Sequence, residues 1–256
     1  MLKPKKSLGQ NFLRDGNIVR KIVSSLNVQK NDFWIEIGPG EGALTLELAK
    51  TVGLLYCIEI DQRSIELLRQ KLSTNIKLIH TDVLEYDFGE VSQKTGKKIR
   101  VVGNIPYYIT SEILFRLFAF RDVIQDATLM MQKEVAERVV SHKGTKSYGI
   151  LSVMSQFFTV PEILFKVSRR SFFPVPEVDS AMVQLKFKET LPECDVELFR
   201  KVVRATFGKR RKMLRNGLRA LGYSDEQLSG LSFDLSRRPE DLSVEEFVEL
   251  GRELKF

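Results

Sequence analysis

Short apolar runs alternate with amphipathic stretches from residue 33 onward. Runs of β-branched and other apolar residues predict strands at residues 33–37, 54–58, 76–80, 99–103 and 127–132. Apolar residues at helical spacing predict helices at residues 43–51, 63–72, 111–120 and 134–141. This alternation is typical of a parallel sheet with crossover helices. The sequence therefore predicts an α/β fold with a doubly wound, Rossmann-like sheet.

Two later apolar runs, residues 157–167 and 181–187, have no clear helical pattern between them. We expect these runs to pair antiparallel, because neighbouring strands without a crossover helix commonly form a hairpin. The sheet is then mostly parallel, with an antiparallel hairpin at one edge.

The end of the chain has a different pattern. After the polar, proline-containing stretch 188–193, helical spacing recurs but no strand pattern does. Ser243 and Glu246 have the spacing of a capping box that opens a last helix. We therefore predict two domains, a large α/β domain at residues 1–190 and a small all-α domain at residues 191–256.

Composition argues against membrane proteins and metal sites. The chain contains no run of eighteen apolar residues, and its basic start is not followed by the apolar stretch of a signal peptide. We expect a soluble, cytoplasmic protein. Cys57 and Cys194 lie far apart, and with only His80 and His142 beside them no zinc-type spacing exists. Cys57 is predicted to be a core residue of a strand, and neither a disulfide nor a metal is expected.

Positive charge is concentrated in two parts of the chain. The formal net charge is +7, with seven Lys or Arg against one acid in residues 1–30 and nine against none in residues 198–224. A solvated helix face is the usual interpretation of a charge run. Nine cations without an acid favour contacts with phosphates, so we expect salt-sensitive RNA binding.

The first predicted strand runs into a glycine-rich turn, Glu36-Ile37-Gly38-Pro39-Gly40-Glu41-Gly42. Glycines let the backbone pass close to a ligand at the edge of the sheet. The spacing lacks the later glycine of the dinucleotide fingerprint, which disfavours nicotinamide and flavin cofactors. S-adenosylmethionine has no phosphate and is compatible with this turn.

Two carboxylates follow the next two predicted strands. Glu59 ends the second strand, where its carboxylate could accept hydrogen bonds from both hydroxyls of a ribose. Asp82 follows the third strand and could accept a hydrogen bond from an adenine amine. Either acid alone could instead be a solvated strand end or a turn residue. Ligand-type residues after three successive strands favour a cofactor site.

The fourth predicted strand leads into Asn104-Ile105-Pro106-Tyr107. The exocyclic nitrogen of adenine is a poor nucleophile, because its lone pair is delocalised into the ring. Acceptors on the Asn104 side chain and the Ile105 carbonyl could orient its two hydrogens, with Pro106 stiffening the turn. Tyr107 would offer a π face to the base and to charge developing on its nitrogen. The structural alternative is a strand-ending turn capped by asparagine.

A base that leaves its stack to enter such a pocket needs an apolar contact on its other face. Phe172 and Phe173, in a proline-rich segment, are candidates for that contact. Packing between the two domains is the alternative role of either residue.

These residues together resemble the ribosomal RNA adenine N6-dimethyltransferase family, and within it the branch that includes KsgA. The similarity spans nearly the whole chain. Besides Glu59 and Asp82, the family-like stretches are residues 7–13, 37–42, 104–107, 148–153, 172–176, 178–181 and 238–243. Ile105 stands where relatives commonly have leucine, a conservative change because only its backbone carbonyl is expected to act.

The resemblance implies a class I methyltransferase sheet and the cofactor S-adenosylmethionine. It implies that Asn11 and Leu13 fold over the cofactor and that Asn104 touches both cofactor and target. It assigns the methionine, ribose and adenine portions of the cofactor to Gly38, Glu59 and Asp82 respectively. The predicted cofactor residues are Gln10, Asn11, Leu13, Gly38, Gly40, Glu59, Ile60, Asp82, Val83 and Asn104.

The resemblance also implies dimethylation of two adjacent adenosines in a hairpin near the 3′ end of small-subunit ribosomal RNA, late in subunit assembly. The immature small subunit would be the partner of a monomeric enzyme. The predicted RNA-contacting residues are Lys5, Lys6, Arg204, Lys209, Arg210, Arg211, Lys212 and Arg215.

Three other functions remain open from the sequence. Enzymes of the Erm branch share the catalytic domain but methylate large-subunit RNA, and the C-terminal residues 207–212 and 238–239 resemble the KsgA branch instead. A non-catalytic RNA-binding factor is disfavoured by the intact Asn104 motif and cofactor set. DNA methylation is disfavoured by the absence of a sequence-reading domain.

Overall fold

The computed structural model describes residues 2–29, 31–71 and 73–254. It divides into two compact units, one formed by Met1–Ala136 and Pro161–Phe187, the other by Glu137–Val160 and Lys188–Phe256. Residues 137–160 thus group with the C-terminal part of the chain, whereas the sequence pattern predicts them in the large domain. The predicted functional division into domains stays a prediction. Three parts of the sequence predictions lie outside the described residues. They are the outer ends of the two predicted domains, the positive charge of Lys30 and the predicted helix end at Leu72.

Seven strands of the described chain form one sheet. Their bounds are β2 Phe33–Ile37, β3 Leu54–Glu59, β4 Ile76–His80, β5 Ile99–Asn104, β6 Ile124–Gln132, β7 Thr159–Val167 and β9 Ser180–Phe187. Their order in the sheet is β4-β3-β2-β5-β6-β9-β7. Strands β2 to β6 pair in parallel, and β9 pairs antiparallel with β6. The predicted mostly parallel sheet with β7 and β9 as neighbours at one edge is confirmed. β7 begins at Thr159, two residues later than the predicted run, because Phe157 and Phe158 end a helix.

The helices of the described chain begin and end at the following residues. They are α1 Gly16–Ser25, α2 Ala43–Leu48, α3 Gln62–Arg69, α4 Gly89–Thr95, α5 Thr110–Ala119, α6 Lys133–Val140, α7 Ile150–Phe158, α8 Val196–Gly208, α9 Leu214–Ala220, α10 Asp225–Ser229 and α11 Val244–Glu253. The capping box of Ser243 and Glu246 opens α11 as predicted. None of the described helices combines the length and the apolar character that a membrane span requires.

A second, two-stranded sheet was not predicted. β1, Phe12–Leu13, pairs antiparallel with β8, Phe172–Phe173. Each strand has only two residues, which is too short for an alternating pattern to be recognised. This pairing joins the N-terminal segment to the segment between β7 and β9.

Buried charge fixes the beginning of β5. Arg100 is buried, and its guanidinium donates hydrogen bonds to Asp126 on β6 and to Asp32, and also to the Leu26 carbonyl at the end of α1. The same group lies 4.4 Å from the ring centroid of Trp34 on β2. A buried charge that is fully paired in this way tolerates little displacement. The network therefore fixes the strand whose other end carries Asn104.

Candidate active site

The carboxyl ends of four neighbouring parallel strands meet at one edge of the sheet. β2 pairs with both β3 and β5, and β3 pairs with β4. Residues that end or follow these strands, Gly38, Glu59, Asp82 and Asn104, therefore converge around one cavity. Every predicted cofactor residue lines this cavity, as do Ile105, Pro106 and Tyr107. The structure brings these residues together, and their individual binding roles stay predictions.

The glycine-rich turn after β2 needs its glycines. Gly38, Gly40 and Gly42 have φ angles of 66°, 56° and 87°, in the left-handed region that favours glycine. A Cβ atom on Gly40 would lie only 3.0 Å from the Phe12 ring. A side chain at this position of the turn would therefore require the Phe12 ring of the N-terminal segment to shift.

Glu59 is held by two backbone amides. The Gly40 N–H donates to its Oε2 at 3.0 Å, and the Asp61 N–H donates to its Oε1 at 2.9 Å. Burial raises the pKa of Glu59 above its ordinary value. Each oxygen keeps a further lone pair for a hydroxyl donor, which is the geometry that recognition of a ribose requires.

Asp82 both stabilises a turn and lines the cavity. Its Oδ1 accepts a hydrogen bond from the Leu84 N–H at 2.9 Å, which is the turn geometry considered as the structural alternative. Asp82 nevertheless lines the cavity. The turn fixes the carboxylate and leaves its other oxygen for a ligand.

The side-chain amide of Asn104 has a defined orientation. Its Nδ2 donates to the carbonyl oxygen of Asn11 at 2.9 Å. Since a carbonyl oxygen only accepts hydrogen bonds, the NH₂ group must face Asn11 and the Oδ1 atom must face away. The Oδ1 atom, which is the predicted acceptor for a target amine, is thus available on the other side of the amide.

Hydrogen bonds also fix the residues after Asn104. The Tyr107 hydroxyl lies 2.7 Å from the Oγ atom of Ser180 on β9. Burial raises the pKa of Tyr107. The Thr110 hydroxyl, at the start of α5, donates to the carbonyls of Pro106 and Tyr107. The aromatic ring is therefore positioned from both its hydroxyl and its backbone.

Phe172 and Phe173 differ in a way that the sequence did not reveal. Phe172 is buried in the hydrophobic core, with only 3% of its surface exposed. The expected contact of either residue with a target base stays a prediction. Phe173 points the other way along its strand and is 52% exposed, with the Arg14 guanidinium 5.9 Å from its ring centroid. Of the two rings, that of Phe173 is the more exposed and is the one open to a contact with a base.

Asp61 anchors the N-terminal segment. Its carboxylate accepts from Gln10 Nε2 at 2.9 Å, from Arg63, and from Lys5 Nζ at 3.3 Å. The Arg63 guanidinium, with help from Gln10 and Lys5, holds the pKa of Asp61 well below its usual range. The amide of Gln10 thus holds the segment that passes over the cavity, in addition to lining it. The same pairing with Asp61 offsets part of the positive charge that Lys5 would bring to an RNA contact.

The cavity is acidic although the protein is basic. Four acids line it, namely Glu36, Glu41, Glu59 and Asp82, and the described lining residues include no Lys, Arg or His. Glu41 is paired with Arg14 outside the cavity. Such a lining disfavours a pyrophosphate and fits a cofactor that carries positive charge, as the sulfonium and amino groups of S-adenosylmethionine do.

Glu36 belongs to the site but was not assigned a role from the sequence. It lies on β2, is 2% exposed, and accepts a long hydrogen bond of 3.8 Å from the Cys57 thiol, as Cys57 lies in the core of β3. Burial raises the pKa of Glu36 to about 7, with Glu59 adding to the effect. An acid within a buried strand just before a glycine-rich turn was the signal that could have identified it.

The raised pKa of Glu36 predicts a pH-dependent stability. Between about pH 4.5, its ordinary pKa, and about pH 7, the unfolded chain loses this proton while the folded chain keeps it. The free energy of unfolding therefore falls as pH rises through this window. Glu36→Gln removes the titration, so the variant should gain stability relative to wild type from near pH 5 to near pH 8 in urea denaturation.

A matched control is Glu90→Gln, at an exposed position on α4. It should change the stability by the same small amount at both pH values. Parallel pH curves for wild type and Glu36→Gln would contradict the assignment of a protonated Glu36.

The predicted RNA-contacting cations of the C-terminal segment fall into two groups. Arg210 pairs with Glu240 at 3.8 Å, and Arg215 pairs with Asp225 at 3.5 Å. By contrast, three exposed cations form no ion pair within the described residues, namely Lys209, Arg211 and Lys212. Arg204 and, in the N-terminal segment, Lys6 are also exposed. Among the predicted RNA-contacting residues, the cations without an ion pair to a described residue are thus concentrated in the turn between α8 and α9.

Comparisons with known proteins agree with this geometry. The model of the family described as ribosomal RNA adenine dimethylase matches residues 1–255. The chain is 41% identical to the ribosomal RNA small subunit methyltransferase A of Caldanaerobacter subterraneus subsp. tengcongensis, covering 99% of this chain and 98% of that relative. It is 45% identical to the protein of the same name from Chlorobium phaeobacteroides, covering 98% and 94%.

Two solved structures are similar over nearly the whole chain. A dimethyladenosine transferase from Plasmodium falciparum gives a TM-score of 0.79 at 26% identity, covering 93% of this chain and 95% of that one. The 23S rRNA methyltransferase ErmE gives a TM-score of 0.70 at 29% identity, covering 95% and 99%.

Proposed function

The chain belongs to the ribosomal RNA adenine dimethylase family, and we propose that it dimethylates two adjacent adenosines in a hairpin near the 3′ end of small-subunit ribosomal RNA. S-adenosylmethionine is the proposed methyl donor, and the immature small subunit is the proposed partner, late in its assembly. The single observation that carries the proposal is the amide of Asn104, which Asn11 orients at the edge of an acidic cavity.

Several residues of the chain would hold the cofactor. Glu59 would accept hydrogen bonds from the ribose hydroxyls, and Asp82 would accept one from the adenine amine. The backbone around Gly38 would pass beside the methionine portion. Bound in this way, S-adenosylmethionine supplies an electrophilic methyl group to an acceptor nitrogen.

The Asn104 motif would orient that nitrogen. Asn104 Oδ1 and the Ile105 carbonyl accept the two amine hydrogens, which directs the nitrogen lone pair away from the plane of the base. Tyr107 presents a π face that stabilises positive charge developing on the nitrogen. Phe173, exposed on β8, would cover the other face of the base. None of these groups acts as a strong base, and none needs to.

The curated relatives favour the small subunit as the source of the RNA. The relatives above, at 41% and 45% identity, are named small subunit methyltransferases, whereas the similar 23S rRNA enzyme is 29% identical. The complete acidic cavity and oriented Asn104 favour a catalyst over a factor that only binds RNA.

Substrate choice is tested directly with radiolabelled S-adenosylmethionine. The protein is incubated with purified small subunits lacking this modification, with large subunits and with DNA, and the modified base is mapped. We expect label on two adjacent adenosines of small-subunit RNA. Label confined to large-subunit RNA or DNA would refute the proposed function.

The role of Asn104 is tested with Asn104→Ala. Loss of the acceptor should lower the rate of methyl transfer at least about 100-fold, while RNA affinity, measured by filter binding, stays unchanged. Asn17→Ala, at an exposed position on α1, is a matched control and should keep the wild-type rate. Near-normal transfer by Asn104→Ala would show that another group holds the amine.

The two groups of cations give a separate prediction. Replacing Lys209, Arg211 and Lys212 together by alanine should reduce the slope of log affinity against log salt concentration by about 2 to 3, because each phosphate contact contributes about 0.7 to 0.9. Replacing the paired Arg210 and Arg215 should change the slope less. Equal salt slopes for wild type and the triple variant would exclude this turn as an RNA contact.

A further inference from the structure

Tyr108 is an aromatic side chain that the motif of residues 104–107 leaves without a role. It lines the cavity, yet 58% of its surface is exposed, whereas the neighbouring Tyr107 is more buried and bonded to Ser180. Among the described residues, no partner for the Tyr108 hydroxyl is present. A tyrosine that served only packing would bury its ring.

One side of the Tyr108 ring is supported by the protein. A Cβ atom on Gly9 would lie 2.9 Å from Tyr108 Cδ1 and 3.1 Å from Cε1, so only glycine lets the ring rest on this backbone. Gly9 has a φ angle of 57°, and its N–H donates to the Lys6 carbonyl at 3.0 Å. The ring therefore lies on a hydrogen-bonded turn and presents the rest of its surface to solvent at the edge of the cavity.

The surroundings of the ring fit a nucleotide. Lys6, in the turn that supports Tyr108, is exposed and carries a positive charge suited to a phosphate. Exposed aromatic rings and cations are the side chains with which proteins hold unpaired bases, because every base has a π face that can stack. Tyr108 follows directly after Tyr107, so a base stacked on it would lie next to the base held by the Asn104 motif.

We infer that Tyr108 is a stacking platform for the adenine adjacent to the target adenine. This inference rests on the proposed function. Because the two target adenosines are neighbours and one pocket must accept each in turn, the base outside the pocket needs its own support. Tyr108 would hold that second base while the first is methylated, and Lys6 would contact the intervening phosphate.

The test is a double-mutant cycle that combines a substitution of Tyr108 in the protein with the removal of one target base in the RNA. Small subunits are reconstituted with RNA in which one of the two target adenosines is replaced by an abasic nucleotide, and methylation of the other is measured. Wild type, Tyr108→Ala and Tyr108→Phe are compared on intact and abasic subunits. Val160→Ala, at another exposed apolar position, is the control, and thermal midpoints confirm that the variants fold.

We expect the abasic nucleotide to raise the KM of wild type for subunits about tenfold with little change in kcat, as a stacking contact of this size implies. Tyr108→Ala should raise KM on intact subunits by a similar factor and become insensitive to the abasic nucleotide. Tyr108→Phe and Val160→Ala should behave like wild type.

Three results would overturn the inference while leaving the proposed function intact. The first is an unchanged KM for Tyr108→Ala on intact subunits. The second is that the factors by which Tyr108→Ala and the abasic nucleotide each raise KM multiply when the two changes are combined. The third is a Tyr108→Phe variant with a KM as high as that of Tyr108→Ala. Absence of methylation by wild type on intact subunits would instead refute the proposed function itself.

Discussion

The side-chain amide of Asn104 donates a hydrogen bond to the carbonyl of Asn11, and this bond decides which way the amide faces. An amide offers a donor at one end and an acceptor at the other, so fixing the donor also fixes the acceptor. The remaining architecture brings the two partners together. β5 carries Asn104 to the edge of the sheet, and the pairing of β1 with β8 together with the anchor at Asp61 holds the segment that contains Asn11.

The cost of burying charge explains the electrostatics of the site. Glu59 loses water and recovers hydrogen bonds from two backbone amides, whereas burial dominates at Glu36 and raises its pKa to about 7. The chain separates its charges by location. Acids line the cavity, where a cationic cofactor fits, and uncompensated cations lie on the exposed turn between α8 and α9. This separation suits the proposed binding of a cationic cofactor and of RNA.

Sequence alone predicted the parts of the structure that follow from periodicity. The parallel strands and the convergence of Gly38, Glu59, Asp82 and Asn104 were predictable, because the ends of parallel strands meet at one edge. The pairing of β1 with β8 was not, since two residues carry no pattern. Likewise, sequence could not show that Phe172 faces the core while Phe173 faces solvent. Nor could it show that Arg210 and Arg215 are paired while Arg211 forms no ion pair with any described residue. Those differences depend on contacts between distant residues.

The most direct measurement is a crystal structure of the protein with S-adenosylhomocysteine and the RNA hairpin that contains the two adenosines. The account predicts that Asn104 Nδ2 keeps its bond to the Asn11 carbonyl while Oδ1 lies about 2.9 Å from N6 of a target adenine. Glu59 should contact the ribose of the cofactor product. An Asn104 amide turned with Nδ2 toward the base, or a target amine held by other groups, would contradict the account.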